Sequence, residues 1–388
     1  MAITISAAIE TLLSLQRWNV MPRVENWTEA ENIAYSTHVV YALGRQLGWS
    51  DVKIRHAIIR SLLKSLNKHF LADMPARSRE VLRQISDEAG KHSFEKLINE
   101  YAKKASKLFP RELSKFFEQY MTIDGSYSEG LGSIDKEDIE HLVRFSQYKV
   151  ALDECATNQK IYPNRGYESV QDDIVVKIKE TKNHRKYAKE YEAMRDYLGL
   201  VKNLKYLRRW NRINRTVETS VLSHTFVVSL LAVMFAEQDK GSFTETAEDH
   251  VLDSILRALF HDFPETLTGD IITPAKDILN KSCDGMWAKV ETRLIGNFVS
   301  SIVPAGLRND IKNRELLHDL SDAENYSVSS LVKDCDRLAL VLECHMEFRN
   351  GNINSEMTNA FNEYLSVLQG SEWKDVREFA LMLAIEAK

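Results

Sequence analysis

An imidazole and a carboxylate stand side by side at His261 and Asp262, at the end of an apolar helical run through Ile255, Leu256, Leu259 and Phe260. Left unpaired against an apolar face, such groups would cost on the order of several kcal/mol of desolvation. A divalent cation satisfies both at once. Glu265 follows three residues on, and a Thr268-Gly269 turn then presents Asp270. Thr273-Pro274 reads as the start of a new helix, with Lys276 just inside it. The stretch supplies half of a metal site.

The other half must come from elsewhere in the chain. His224 lies in Val221–Ala236, a segment apolar around nearly its whole circumference and therefore expected to be a buried helix. A single buried histidine is ordinarily a core residue with a satisfied ring, but a second one beside an aspartate favours ligation. For a fourth ligand, the helix expected over Val328–Phe348 offers Asp334 and Asp336. These flank its apolar line (Leu331, Cys335, Leu338, Leu342) on opposite sides, so periodicity does not choose between them.

The elements that hold these groups are expected to be helical throughout. Gly (15) and Pro (7) are scarce among 388 residues, and Leu/Ala/Lys/Glu-rich stretches dominate. An all-α fold follows, with length for two domains of ordinary size. The formal net charge of −5 argues against a general binder of nucleic-acid polymers, which needs a basic face. There is no basic N-terminal region followed by an apolar core, and no uninterrupted apolar run of about 18 residues, so neither export nor a membrane span is expected. Cys155, Cys283, Cys335 and Cys344 form no Cys-x-x-Cys pair and read as thiols of a cytoplasmic protein.

The chain also repeats itself. Arg17-Trp18-Asn19 recurs as Arg209-Trp210-Asn211, and Glu31–Thr37 is matched to Glu218–His224. The run from Arg60 falls on that from Arg257, Ala72-Asp73 on Gly269-Asp270, and Glu154-Cys155 on Glu343-Cys344. The preserved order implies a tandem duplication: a first copy over 1–165, a charged helical connector over 166–199 and a second copy over 200–388. The copies differ where chemistry would sit. His224 is set opposite Thr37, His261 opposite Lys64, Asp262 opposite Ser65, Glu265 opposite Lys68 and Asp336 opposite Gln147. Two lysines would place positive charge where the second copy holds a cation, so the metal site is expected in the second copy alone.

The order His…His-Asp…Asp, with the His-Asp pair at a helix end, resembles the HD superfamily of metal-dependent phosphohydrolases. Residues 208–348 are most similar to the bacterial YfbR-like 5'-deoxynucleotidases. The resemblance rests on Arg209-Trp210, His224, His261-Asp262-x-x-Glu265, Gly269-Asp270, Thr273-Pro274-x-Lys276 and Asp336. It implies two tandem HD-type helical domains forming an internal pseudo-dimer, the first degenerate, in a chain that is monomeric or a homo-oligomer. It selects Asp336 over Asp334, giving His224, His261, Asp262 and Asp336 as metal ligands.

Two imidazoles and two carboxylates suit Mn²⁺, Co²⁺, Fe²⁺ or Zn²⁺ better than Mg²⁺. Glu265 is implied as general base, with Asp270 assisting proton transfer or binding the sugar. Arg209 would grip the phosphate and Trp210 pack against the sugar, while Thr273 and Lys276 would add anion-binding groups. The implied reaction is release of phosphate from deoxynucleoside 5'-monophosphates. Hydrolysis of deoxynucleoside triphosphates, another HD nucleotide phosphodiesterase activity and a non-catalytic nucleotide sensor are the alternatives.

Overall fold

The computed structural model describes residues 2–72, 74–88, 93–123, 125–127, 129–243, 249–269, 278–281, 286–317 and 326–386. Every regular element among them is a helix. The paired extended residues among them are two isolated antiparallel bridges, Gln16 with Thr28 and Arg208 with Ser220. The chain groups into two compact units, Met1–Tyr41 with Ser50–Ala188, and Ala42–Trp49 with Lys189–Lys388.

The first unit runs through α1 (Ala2–Ser14), α2 (Glu29–Gln46), α3 (Asp51–Leu63), the single turn α4 (Lys68–Leu71), α5 (Ala76–Glu88), α6 (Ser93–Ser106), α7 (Arg111–Met121), the long α8 (Ser133–Ile161) and α9 (Tyr167–Lys179). α9 packs along α8, and α3 packs on both α7 and α8. The charged segment 166–199 is helical through α9, α10 (His184–Ala193) and the start of α11 (Arg195–Asn203).

The second unit is built on three helices that pack on one another: α12 (Val221–Gln238), α13 (His250–Phe260) and, beyond α14 (Glu265–Thr268), α15 (Met286–Ser301) and α16 (Ala305–Asn313), the long α17 (Tyr326–Arg349). α18 (Ser355–Gln369) lies on α17, and α19 (Lys374–Glu386) lies on α18. α12 is buried from Val221 to Glu237, as an all-round apolar helix must be. Its mean hydropathy of 1.5 would suit a membrane span, yet 94% of that window is buried inside the protein, which makes it a core helix. Its start is fixed by a reciprocal cap: Ser223 N donates to Ser220 Oγ, and Ser220 N donates to Ser223 Oγ. Asp249 caps α13 by accepting from Leu252 N at 3.0 Å, a contact worth about 1 kcal/mol. On α17 the line Leu331, Cys335, Leu338 and Leu342 is buried, as its spacing requires.

The helix that delivers the His-Asp pair ends well before Pro264. α13 closes at Phe260, a tight turn carries His261 to Pro264, and Pro264 (φ −53°) stands at the head of α14, where its fixed φ suits a helix start. The residue opposite His224 is Asn32, not Thr37. α2 and α12 each begin one residue after the bridged positions Thr28 and Ser220, so their registers place Asn32 and His224 three residues into each helix. Thr37 lies more than a turn further along, bonded to Ser61 Oγ at 3.0 Å.

Candidate metal centre

α12, the turn after α13 and α17 bring four ligand atoms together. His224 Nε2 lies 2.9 Å from Asp336 Oδ1 and 3.7 Å from Asp262 Oδ2. His261 Nε2 lies 3.2 Å from Asp262 Oδ2 and 3.9 Å from Asp336 Oδ1. Two metal–ligand bonds of about 2.1 Å, meeting at about 90° to 140°, separate their outer atoms by about 3.0 to 3.9 Å. The spacings therefore match one shared ion.

The donor chemistry fits as well. His261 Nε2 and Asp262 Oδ2 are buried and have no hydrogen-bond partner, despite their 3.2 Å approach to each other. A cation is what such a pair lacks. His261 also donates from Nδ1 to Ala258 O at 2.8 Å, which satisfies a carbonyl at the end of α13 and turns Nε2 toward the cluster. Among the described residues, His224, His261 and Asp262 stand out as a possible metal-holding group, and Asp336 closes the fourth side.

Burial works against every charge here, and opposite charges overcome it. It pulls His261 down, but the carboxylates of Asp262 and Asp336 push it up to about 9. Burial raises Asp262, yet His261, His224 and Arg209 hold its carboxyl well below the usual range. Asp336 is likewise lowered, against burial, by its bond to His224.

Asp334, the alternative ligand, faces other partners. It accepts from Arg337 Nη1 at 2.7 Å and from the Ser371 hydroxyl, at a buried position (5% exposed). Asp336 is more open, with 38% of its side chain exposed. Asp336, not Asp334, lies beside His224 and His261.

Arg209 and Trp210 flank the cluster. The Arg208–Ser220 bridge and the bond from Arg209 N to Thr219 O fix their strand-like approach to α12. Trp210 then takes φ +56°, a left-handed conformation costing a non-glycine residue about 1 to 3 kcal/mol. Its Nε1 donates to Glu343 Oε2 at 2.7 Å, a charge-assisted bond of about 1.5 to 3 kcal/mol that offsets the strain. Arg209 Nε lies 3.2 Å from Glu343 Oε1, and Arg209 Nη1 lies 3.8 Å from Asp262 Oδ2. Burial disfavours that guanidinium charge, but Glu343, Asp262, Asp336 and Glu265 hold it firmly protonated. Glu265 is the first residue of α14, partly exposed, with its charge acting on Arg209. Asp270, Thr273 and Lys276 lie outside the described residues.

Glu343 is the site residue that the motif did not announce. It sits seven residues after Asp336 on α17, two turns along the same face. The sequence holds its signal in the recurrence of Glu154-Cys155 as Glu343-Cys344.

The first unit builds the same frame around different groups. Trp18 takes φ +60° and donates from Nε1 to Glu154 Oε2 at 2.6 Å, while Arg17 Nε bonds the same carboxylate at 3.0 Å. Asn32 Nδ2 donates to Glu154 Oε1 at 2.8 Å. Lys64 and Lys68, which the sequence match sets opposite His261 and Glu265, are each paired with a glutamate. Lys68 Nζ lies 2.7 Å from Glu29, which is 1% exposed, and Lys64 Nζ lies 3.8 Å from Glu140. The sequence match sets Glu29 and Glu140 opposite Val221 and Ser329.

Comparison with known proteins agrees with this geometry. Residues 196–386 match the sequence profile of the family described as 5'-deoxynucleotidase YfbR-like. The 5'-deoxynucleotidase of Shewanella oneidensis is 27% identical over 176 residues, covering 45% of this chain and 85% of that protein. The 5'-deoxynucleotidase YfbR of Escherichia coli is 28% identical over 156 residues, covering 40% of this chain and 74% of its own. A dATP triphosphohydrolase of Salmonella phage PMBT28 is 40% identical over 79 residues, 20% of this chain and 41% of that protein. Residues 196–386, which carry the His224–His261–Asp262–Asp336 cluster, are thus similar to the YfbR-like 5'-deoxynucleotidase family.

Proposed function

We propose that the protein is a metal-dependent hydrolase of nucleotide phosphates, and that its preferred reaction releases phosphate from deoxynucleoside 5'-monophosphates. The observation that carries the reading is the convergence of two imidazoles and two carboxylates at single-ion spacing, beside Arg209, within a YfbR-like segment. His224, His261, Asp262 and Asp336 would hold the ion, and this nitrogen-and-oxygen set favours Mn²⁺, Co²⁺, Fe²⁺ or Zn²⁺. A bound divalent ion supplies Lewis acidity toward a phosphate oxygen and brings the pKa of a water toward neutrality.

The chain's own side chains do the rest. Arg209 binds and orients the phosphate with a guanidinium that stays charged. Trp210 sets an apolar wall for the sugar. Glu265 accepts the proton of the attacking water, and Asp270 assists that transfer or binds the sugar. Thr273 and Lys276 extend the anion site. The first unit is a degenerate copy in which internal ion pairs replace the ion, and the protein works in the cytoplasm on free nucleotides rather than on a polymer or membrane.

Hydrolysis of deoxynucleoside triphosphates is the second reading, favoured by the likeness to the phage dATP triphosphohydrolase. A panel of deoxy- and ribonucleoside mono- and triphosphates, assayed for phosphate, pyrophosphate and triphosphate with each metal, separates the two. Phosphate from deoxymonophosphates supports the first, triphosphate from deoxytriphosphates the second. Binding without turnover of any nucleotide would overturn both.

A further inference from the structure

Glu343 makes more contacts in the second unit than a packing residue needs. Its carboxylate, 3% exposed, accepts from Trp210 Nε1, Arg209 Nε and Thr219 Oγ1 (3.2 Å), and it lies 3.8 Å from Arg215 Nη1. Its Oε1 stands 3.9 Å from His224 Nδ1, on the far side of the imidazole from Asp336, beyond hydrogen-bond reach. One carboxylate thus reaches the phosphate-binding guanidinium, the sugar-facing indole and the back of a metal ligand. Arg215 faces that carboxylate and is itself held by Glu347 at 3.4 Å, and Glu347 accepts from Thr216 N and Val217 N. A group so fixed has one orientation to transmit.

We propose that Glu343 is a positioning residue for the proposed reaction: it sets Arg209 and Trp210 against the ligand cluster, where Arg209 approaches Asp262, and it places a fixed negative charge behind His224. The inference rests on the hydrolase reading for its kinetic consequence, but its effect on the ligand cluster stands apart from turnover. Outer carboxylates that orient ligating imidazoles commonly change metal affinity by about 10- to 100-fold. The first unit supplies an internal control. Glu154 makes the same bonds to Trp18 and Arg17, but beside Asn32 instead of a ligand imidazole.

The test uses the full chain with Glu343→Gln, Glu343→Asp and Glu154→Gln, each confirmed folded by its thermal transition. Mn²⁺ affinity is measured by calorimetry, and kcat and KM with deoxyadenosine 5'-monophosphate. Glu343→Gln keeps an acceptor for Trp210 but drops the charge that holds Arg209. It is expected to weaken Mn²⁺ binding about tenfold or more and to raise KM more than it lowers kcat. Glu343→Asp restores part of both losses, and Glu154→Gln lowers the melting temperature while leaving Mn²⁺ affinity and kinetics unchanged.

If Glu343→Gln only lowers the melting temperature, or Glu154→Gln costs as much metal affinity and activity, Glu343 is a packing residue and the proposal fails. Should the unaltered protein hydrolyse no nucleotide, the proposed function falls and the Mn²⁺ measurement decides alone. A tenfold loss in Glu343→Gln then supports the role of the charge behind His224, and an unchanged affinity overturns it.

Discussion

His224 Nε2 and Asp336 Oδ1 lie 2.9 Å apart across the packing of α12 on α17, though 112 residues separate them in the chain. Two positions earlier on α17, Asp334 bonds Arg337 and Ser371 instead. The two aspartates therefore answer to different substitutions. Asp336→Ala is expected to weaken Mn²⁺ or Co²⁺ binding at least about 100-fold with little change in folding, since its side chain is partly exposed. Asp334→Ala should leave metal affinity within about threefold while costing about 1 to 3 kcal/mol of stability through its lost buried partners. Metal titration and urea unfolding of both variants check this, and a reversed pattern would transfer the ligand to Asp334.

The raised pKa of His261 links metal uptake to pH. Burial alone would lower it, but Asp262 and Asp336 bring it to about 9. The ligating imidazole must be neutral, so below that value a proton competes with the ion. Affinity is expected to fall as pH falls from 9 toward 6, by up to about tenfold per unit, with roughly one proton released per ion bound near pH 7. Calorimetry in buffers of different ionisation enthalpy counts that proton. Proton-independent binding across this range would show that His261 is not a ligand.

In the first unit, Glu29 is buried and would be raised by desolvation, yet Lys68 and Arg17 keep its pKa lowered. Lys68→Ala removes one of those cations. With Arg17 still paired to Glu29, the expected cost is about 1 to 3 kcal/mol in chemical unfolding, while the number of ions bound per chain stays at one. A second divalent ion taken up by the unaltered protein would contradict the replacement of metal by lysine.

Much of the site was legible because its signals are local. His261-Asp262 adjacency, the all-round apolarity of the helix carrying His224 and the apolar line of α17 each follow from a few neighbouring residues. Asp336 against Asp334 was not legible from spacing, because both stand equally far from that line. Only the partners of Asp334, Arg337 and Ser371, separate them, and Ser371 comes from beyond α18. The register of Asn32 against His224 is carried by the match of Arg17-Trp18 to Arg209-Trp210 continued without a gap, which the Gln16–Thr28 and Arg208–Ser220 bridges follow. The likeness of Glu31–Thr37 to Glu218–His224 points to a different register. Glu343 was visible as a recurring residue, but its convergence on Arg209, Trp210 and His224 depends on how α17 packs against α12.

Hydrolysis at the His224–His261–Asp262–Asp336 cluster is tested most directly by phosphate release from deoxyadenosine 5'-monophosphate. The full chain is compared with Asp262→Ala and Glu265→Ala, each with Mn²⁺ or Co²⁺ and again after chelation. The unaltered protein is expected to turn over with metal and stop with chelator. Asp262→Ala should lose both metal binding and activity, and Glu265→Ala should keep metal binding while losing at least about 100-fold in kcat. Turnover that persists in Asp262→Ala, or that ignores chelation, would place the chemistry elsewhere and contradict the proposal.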